Sequence, residues 1–304
     1  MKNNHFQLSS ILDHQDLAAT KQAIIELLAK NYGPDVNELV PRIFDRTLQL
    51  FNGHMPGYQA CNTDYHNLAH TIDVFVATIR LIDGHRLAGL ALSAQEATDL
   101  GVAALLHDVG YIQDSNDREG SGGKYTKTHV RRGVEFLERH HADWNIPAER
   151  VPTISRLILG TDLALAWDSL GFVDAAEQTR AAILATADLL GQMADRAYLE
   201  KLLFLYYEFR EAGFDNYKSA FDILKSTQSF YGVIQKRLDT ILEKAYEKAI
   251  VHFRARFDTN HNLYMESISH QMAYLKEIMD DDSSNFRQKL KRLDLEIAEK
   301  RQTA

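Results

Sequence analysis

Apolar residues recur along most of this chain at intervals of three and four positions, the spacing that places them on one face of an α-helix. Alternating apolar and polar runs flanked by turn residues, which are typical of β-strands, are absent. The sequence therefore predicts an all-α fold, a helical bundle. The segments with helical spacing are 17–29, 38–51, 68–82, 94–106, 130–137, 151–159, 176–190, 197–209 and 220–224.

Capping signals predict where one of these helices begins and ends. Ser93 and Glu96 match a capping box, in which the side chain and backbone of the two residues bond reciprocally. We expect the helix to run from here to about Val109, with Gly110 just past its end.

Another helix is expected to begin after Asp64, a plausible N-cap, and to end at Gly84. It would carry His66 and His70, which are four residues apart and so share a face of the helix. Such a pair alone is a weak signal, because two surface histidines at this spacing are more common than a metal site.

Two regions differ from the rest. Residues 110–125 contain four glycines among polar residues, which predicts a loop next to His107 and Asp108, and loops beside a site often gate it. Residues 233–304 contain no glycine or proline and predict long helices, interrupted at 280–284. These helices could form a hairpin that covers the core or an arm through which the protein forms a homodimer.

Composition limits the partners. The formal charge of −8 argues against nucleic-acid binding, but it allows a small phosphorylated substrate, because a metal can supply local positive charge. Cys61 is the single cysteine, which excludes an intrachain disulfide. No apolar signal core or membrane-length run is present, so we expect a soluble cytoplasmic protein with no membrane partner.

Polar residues with metal-binding chemistry interrupt two apolar runs. His107 and Asp108 follow the run 101–106, and Asp188 lies within the run 181–190. Buried polar groups need partners, which could be a metal, a mutual hydrogen bond or a local cap. Two histidines and two aspartates suit one or two divalent cations, with Zn, Mn, Fe and Mg as candidates.

The order of these residues resembles the signature of the HD superfamily of metal-dependent phosphohydrolases. Residues 65–74 in particular resemble the motif of class I cyclic-nucleotide phosphodiesterases, and 157–162, 187–189 and 207–213 resemble further family segments. The resemblance runs from about 60 to 235. It implies an HD/PDEase-like core over 61–235, a helical segment at 1–60 packed on that core, and long C-terminal helices at 236–304.

The resemblance also implies roles for individual residues. The first metal would be bound by His70, His107, Asp108 and Asp188, and Asp108 would bridge to a second metal. A metal-bound hydroxide would attack phosphorus, and His66 would be the general acid that protonates the leaving oxygen. Gln228 and Tyr231 stand where the family places a purine-selecting glutamine and an aromatic clamp. A solvated glutamine on a helix is the alternative for Gln228.

The chain departs from the cyclic-nucleotide enzymes in two ways. Tyr111 stands where they place another histidine, which is closer to general HD phosphohydrolases, and the interval between Asp108 and Asp188 is shorter. In several HD proteins a later histidine holds the second metal. His129 is placed to do so, or it lies in the first turn of its helix without that role.

Three functions follow as hypotheses. The first is a phosphodiesterase that hydrolyses a nucleotide diester, such as a cyclic nucleotide, because an alkoxide leaving group benefits from an acid such as His66. The second is a nucleotide phosphomonoesterase, which Tyr111 and His129 favour. The third is a non-catalytic module that keeps a metal and senses a nucleotide through its C-terminal helices.

Overall fold

The described part of the chain is all-α, as the sequence predicts. The computed structural model describes residues 7–33, 36, 38–281 and 285–293, and these ranges contain no β-strand. None of the helices within them is long and apolar enough to cross a membrane. The α-helices are α1 (Leu17–Tyr32), α2 (Leu39–Phe51), α3 (Leu68–Leu87), α4 (Ala94–Leu106), α5 (His129–His140), α6 (Val151–Leu159), α7 (Ala175–Met193), α8 (Tyr198–Glu211), α9 (Ala220–Asp239), α10 (Lys248–Phe257) and α11 (Leu263–Asp280).

Helix α3 lies at the centre of the bundle. It packs most extensively against α7 and α10, and also against α4. Both α3 and α7 are buried over most of their length, which agrees with apolar residues on several of their faces. Because these two central helices lie side by side, polar residues that each carries in its apolar run meet inside the core.

The predicted beginning and end of α3 are wrong. Its N-cap is Asn67 rather than Asp64, and the Asn67 side chain accepts a hydrogen bond from the backbone N–H of His70 at 3.2 Å. The helix also continues through Gly84 to Leu87. A Cβ atom at Gly84 would lie 2.0 Å from the carbonyl oxygen of Lys248. Gly84 therefore allows α10 to pack closely against α3, rather than ending the helix.

Helix α4 begins at the predicted capping box, where Ser93 and Glu96 bond reciprocally. It ends at Leu106, three residues before the predicted end at Val109. His107 caps it, and a short 3₁₀ helix follows at Val109–Tyr111. The chain thus turns at His107 and Asp108.

The C-terminal region is less continuous than predicted. Helix α9 extends to Asp239, but α10 has only 10 residues. Left-handed backbone occurs at Lys244, before the 3₁₀ helix that precedes α10, and at Asp258, directly after α10. Helix α10 packs on α3, and α11 packs on α7, α8 and α9. Helix α11 ends at Asp280, whereas residues 282–284 of the predicted interruption lie outside the described residues. The division into three segments and the dimerisation arm stay predictions.

A buried ion pair joins α1, α3 and α10. Asp83 is fully buried and accepts hydrogen bonds from Arg256 at 2.6 and 3.0 Å, from His252 at 2.7 Å and from Asn31 at 2.8 Å. Burial alone would raise the pKa of Asp83, but these hydrogen bonds hold it well below the usual range. Burial lowers the pKa of His252, so its neutral ring donates through Nδ1.

We expect Asp83→Ala to reduce the free energy of unfolding by about 3 kcal/mol, the lower end for a broken buried ion pair, because the Arg256 charge that loses its partner is only partly buried. The difference from wild type should shrink as the pH falls below about 4, since the unfolded chain takes up the Asp83 proton more readily than the folded one. Urea unfolding at several pH values measures both effects. Asp143→Ala, which replaces an exposed aspartate 3.7 Å from His140, is the control. A loss no larger than that of the control would contradict the assigned role of Asp83.

Candidate metal centre and its neighbours

Four predicted ligands converge at the centre of the bundle. Oδ2 of Asp108 lies 3.2 Å from Nε2 of His70 and 3.2 Å from Nε2 of His107. Oδ1 of Asp188 lies 3.3 Å from Nε2 of His70 and 3.7 Å from Nε2 of His107. The site therefore brings together residues from α3, from the turn after α4 and from α7.

The rings of the two histidines are turned so that both Nε2 atoms face the same point. His107 Nδ1 lies 2.8 Å from the carbonyl oxygen of Ala104, so that it donates there and leaves Nε2 as the metal-facing atom. The Nε2 atoms of His70 and His107 are only 3.3 Å apart. Two unprotonated imidazole nitrogens at this distance would repel, unless a cation lies between them or a proton is held there.

The residues fit a divalent cation. Oδ2 of Asp108 is buried and has no hydrogen-bond partner among the described residues, although two imidazole nitrogens lie near it. Ligand atoms of His70, His107 and Asp108 all lie within 4.8 Å of one another, and all three residues are buried. Nitrogen and carboxylate ligands without a thiolate suit Zn, Mn, Fe or Mg, but they do not select among them.

The electrostatics of the cluster also favour a positive charge. Burial alone would lower the pKa of His70, but the nearby carboxylates of Asp108 and Asp188 raise it to about 10. Burial alone would raise the pKa of Asp108, but His107 and His70 hold it well below the usual range. Two buried carboxylates thus attract either protons on the imidazoles or a metal cation in their place.

His66 lies beside this cluster but is held by a different residue. It precedes the N-cap of α3, so it does not share a helix face with His70 as predicted, yet the two ring centroids are 5.8 Å apart. Nδ1 of His66 lies 2.6 Å from Oε2 of Glu208. Oε1 of Glu208 accepts from the backbone N–H groups of Tyr65 at 2.9 Å and His66 at 3.3 Å. Glu208 therefore fixes both the ring and the backbone of His66.

No sequence pattern singles out Glu208 by itself. Two signals together point to Glu208. It is a carboxylate on the face of α8 that also buries residues 202–204, and it lies in the segment 207–213 that resembles the phosphodiesterases. Glu208 is itself buried. A buried carboxylate needs a donor, and this one finds it 142 positions away in His66.

His129 faces the opposite oxygen of Asp108. Its Nε2 lies 3.6 Å from Oδ1 of Asp108, and its Nδ1 lies 2.8 Å from the carbonyl oxygen of Thr126. It is the first residue of α5, as one of the two interpretations expects, and its role as a ligand of a second metal stays a prediction. A Cβ atom at Gly110 would lie 1.9 Å from the His129 carbonyl oxygen, so Gly110 permits this close approach.

Tyr111 packs against two of the histidines. Its ring stacks on that of His66 at a centroid distance of 4.4 Å and on that of His129 at 4.3 Å. The tyrosine at this departure from the family pattern is thus a packing element that contacts both His66 and His129, whose own ring centroids are 5.9 Å apart.

The glycine-rich loop after the site is attached to α8. Both the backbone N–H and the hydroxyl of Ser121 donate to the carboxylate of Glu211. The 3₁₀ helix Gly122–Tyr125 packs against α8, the helix that also carries Glu208. Its location next to the site agrees with the predicted loop, and gating stays a prediction.

Gln228 and Tyr231 lie on α9, and the structure does not connect them to the cluster. Gln228 is exposed, and the hydroxyl of half-buried Tyr231 lies 3.3 Å from Oε1 of Gln235. Among the described residues, no hydrogen bond or ring contact joins either of them to the four predicted ligands. Purine recognition by this pair stays a prediction.

Comparison with known proteins gives little information on activity. A family model described as Npun_R2479-like matches residues 115–245. This segment contains His129, Asp188 and Glu208, but it begins after Asp108. No curated protein matches the chain. The family description names no activity or ligand.

Proposed function

We propose that this protein is a metal-dependent phosphohydrolase of the HD type, resembling class I cyclic-nucleotide phosphodiesterases, and that it hydrolyses a phosphodiester of a small nucleotide. One observation carries the proposal. A buried group of two histidines and two aspartates lies next to a further histidine, His66, which is held outside the group by a carboxylate of its own.

His70, His107, Asp108 and Asp188 would hold the metal. When bound, a divalent cation would polarise the phosphoryl group and lower the pKa of a water molecule, which supplies the nucleophile. The protein residues provide the charge balance and the orientation of the ligands. The two carboxylates balance the charge of the cation, and the hydrogen bond from His107 to Ala104 fixes the direction of the ring.

His66 would protonate the leaving oxygen. Glu208 accepts the Nδ1 proton, so only Nε2 of His66 is left to act on a substrate. When Nε2 of His66 is also protonated, the Glu208 carboxylate balances the positive charge of the ring. Because an alkoxide is a poor leaving group, a positioned acid is most useful for a diester such as a cyclic nucleotide.

The second candidate function is a nucleotide phosphomonoesterase. It is favoured by His129, whose Nε2 faces Oδ1 of Asp108 while the first ligand set faces Oδ2. With a second cation at this position, Asp108 would lie between two cations, an arrangement that phosphatases use to stabilise the attacking and the leaving oxygen.

A comparison of substrates tests the proposal. The chelator-stripped protein is reconstituted with Zn, Mn, Fe or Mg and assayed with a nucleoside cyclic monophosphate and with the corresponding nucleoside 5′-monophosphate. We expect faster hydrolysis of the cyclic diester, which is lost with chelator and restored by metal. The Asp108→Ala variant, purified in parallel, controls for contaminating phosphatases.

The other results have clear meanings. Faster release of phosphate from the monoester would support the second candidate and contradict the first. Hydrolysis of neither substrate by a protein that retains its metal would contradict both.

A further inference from the structure

We infer that Gln192 is a positioning residue for the metal centre, and that it orients Asp188 through a hydrogen bond that Tyr65 in turn fixes. The inference rests on the proposed metal site, and it assigns roles to two residues outside the predicted ligand set. Tyr65 acts here through its hydroxyl, and this role is independent of its position next to His66 in the sequence.

The contacts form a continuous chain from the core to the ligand. Gln192 lies one turn after Asp188 on α7, and its Nε2 is 3.0 Å from Oδ1 of Asp188. The hydroxyl of Tyr65 is 3.1 Å from Oε1 of Gln192. Oδ1 is also the oxygen of Asp188 that faces the Nε2 atoms of His70 and His107.

Chemistry fixes the direction of each hydrogen bond. An ionised carboxylate can only accept, so the amide of Gln192 must present its NH₂ group to Asp188. Its carbonyl oxygen then faces Tyr65, whose hydroxyl must donate. Tyr65 is buried, and burial raises the pKa of its hydroxyl well above the usual value, so the hydroxyl keeps the proton that it donates.

The tyrosine is needed because Gln192 has an alternative. Gln192 is half-buried and lines a cleft with His70, Asp73 and Lys201, so its amide could turn away from Asp188. The bond from Tyr65 holds the amide in place. Apart from the cluster histidines, Gln192 is the hydrogen-bond donor to Asp188 in the described part of the chain.

A hydrogen bond to a ligating oxygen restricts rotation of the carboxylate and fixes the lone pair that points at the cation. Loss of such an outer partner typically lowers metal affinity by about 10- to 100-fold. We expect this loss for Gln192→Ala and for the near-isosteric Gln192→Met, which keeps the volume but removes the donor. Tyr65→Phe should lower the affinity in the same direction.

The two residues should act as one unit. If Tyr65 acts only through Gln192, the double variant Tyr65→Phe/Gln192→Ala should bind metal no more weakly than Gln192→Ala alone, whereas independent effects would multiply. Gln178→Ala is the matched control. Gln178 lies on the same helix, about 15 Å from Asp188 along the axis at 1.5 Å per residue.

The test measures the metal dissociation constant without substrate, by competition with a chelating dye. Thermal unfolding of each metal-free variant checks that it folds. If both Gln192 variants bind metal as tightly as Gln178→Ala does, the inference is overturned. If the losses of affinity multiply in the double variant, Tyr65 does not act through Gln192, and that step of the inference is overturned. Wild-type protein that binds no metal would overturn the inference together with the proposed function. Weakened binding in a protein that hydrolyses nothing would support the inference and contradict only the proposed activity.

Discussion

Asp108→Ala is expected to remove bound metal and to abolish hydrolysis. Both oxygens of Asp108 face imidazole nitrogens, Oδ2 at 3.2 Å from His70 and His107 and Oδ1 at 3.6 Å from His129. A carboxylate in this position would contact every cation that the site can hold. Loss of a residue that only hydrogen-bonds a ligand lowers metal affinity by up to about 100-fold. Loss of a direct ligand such as Asp108 should lower it further.

Metal content and turnover are measured on the same preparation. Asp143→Ala replaces an aspartate that is exposed and 3.7 Å from its histidine partner, so it should change neither quantity. Asp108→Asn keeps the shape of the side chain and separates loss of charge from loss of packing. Normal metal content and turnover in both Asp108 variants would show that Asp108 is structural.

His66→Ala is expected to keep its metal and to lose about 10²- to 10⁴-fold in the hydrolysis of an alkyl or cyclic diester. His66 is bonded to Glu208 and not to the ligand group, so its loss removes the acid without removing a ligand. The loss should be much smaller for a nitrophenyl diester, because nitrophenolate leaves without a proton.

Two further variants sharpen this test. His54→Ala, at an exposed histidine, should have no effect on either ester. Glu208→Gln should reproduce the preference for the nitrophenyl ester to a lesser degree, since it disturbs the orientation of His66 but leaves the ring. Equal losses on both esters in His66→Ala would contradict the role of general acid, and a fall in metal content would make His66 a ligand.

The sequence predicts the helices well where one helix buries its own apolar face. The ranges of α2, α6 and α8 agree with the predicted segments within one residue at the N-terminus and within two at the C-terminus. Gly84 shows the limit of such patterns. A glycine in a helical segment reads as an end, but here its small size serves packing against Lys248, which lies far along the chain.

The candidate site was predictable in part for a similar reason. Polar residues inside apolar runs, such as Asp188, point to buried partners, although not to which ones. His66 was placed on the wrong element, because the contact that holds it comes from Glu208, 142 positions away. No local spacing encodes such a contact. Gln192 is likewise evident only once α7 is seen next to Tyr65.

The most direct test of the central claim is the metal content of the purified protein. The protein is stripped with chelator, reconstituted with a divalent metal and desalted, and the bound metal is measured by inductively coupled plasma mass spectrometry alongside the Asp108→Ala variant. We expect the wild-type protein to retain one divalent ion per chain, or two if His129 completes a second site, and the variant to retain none. Wild-type protein that holds no more metal than the variant would contradict the assignment of His70, His107, Asp108 and Asp188 as a metal centre.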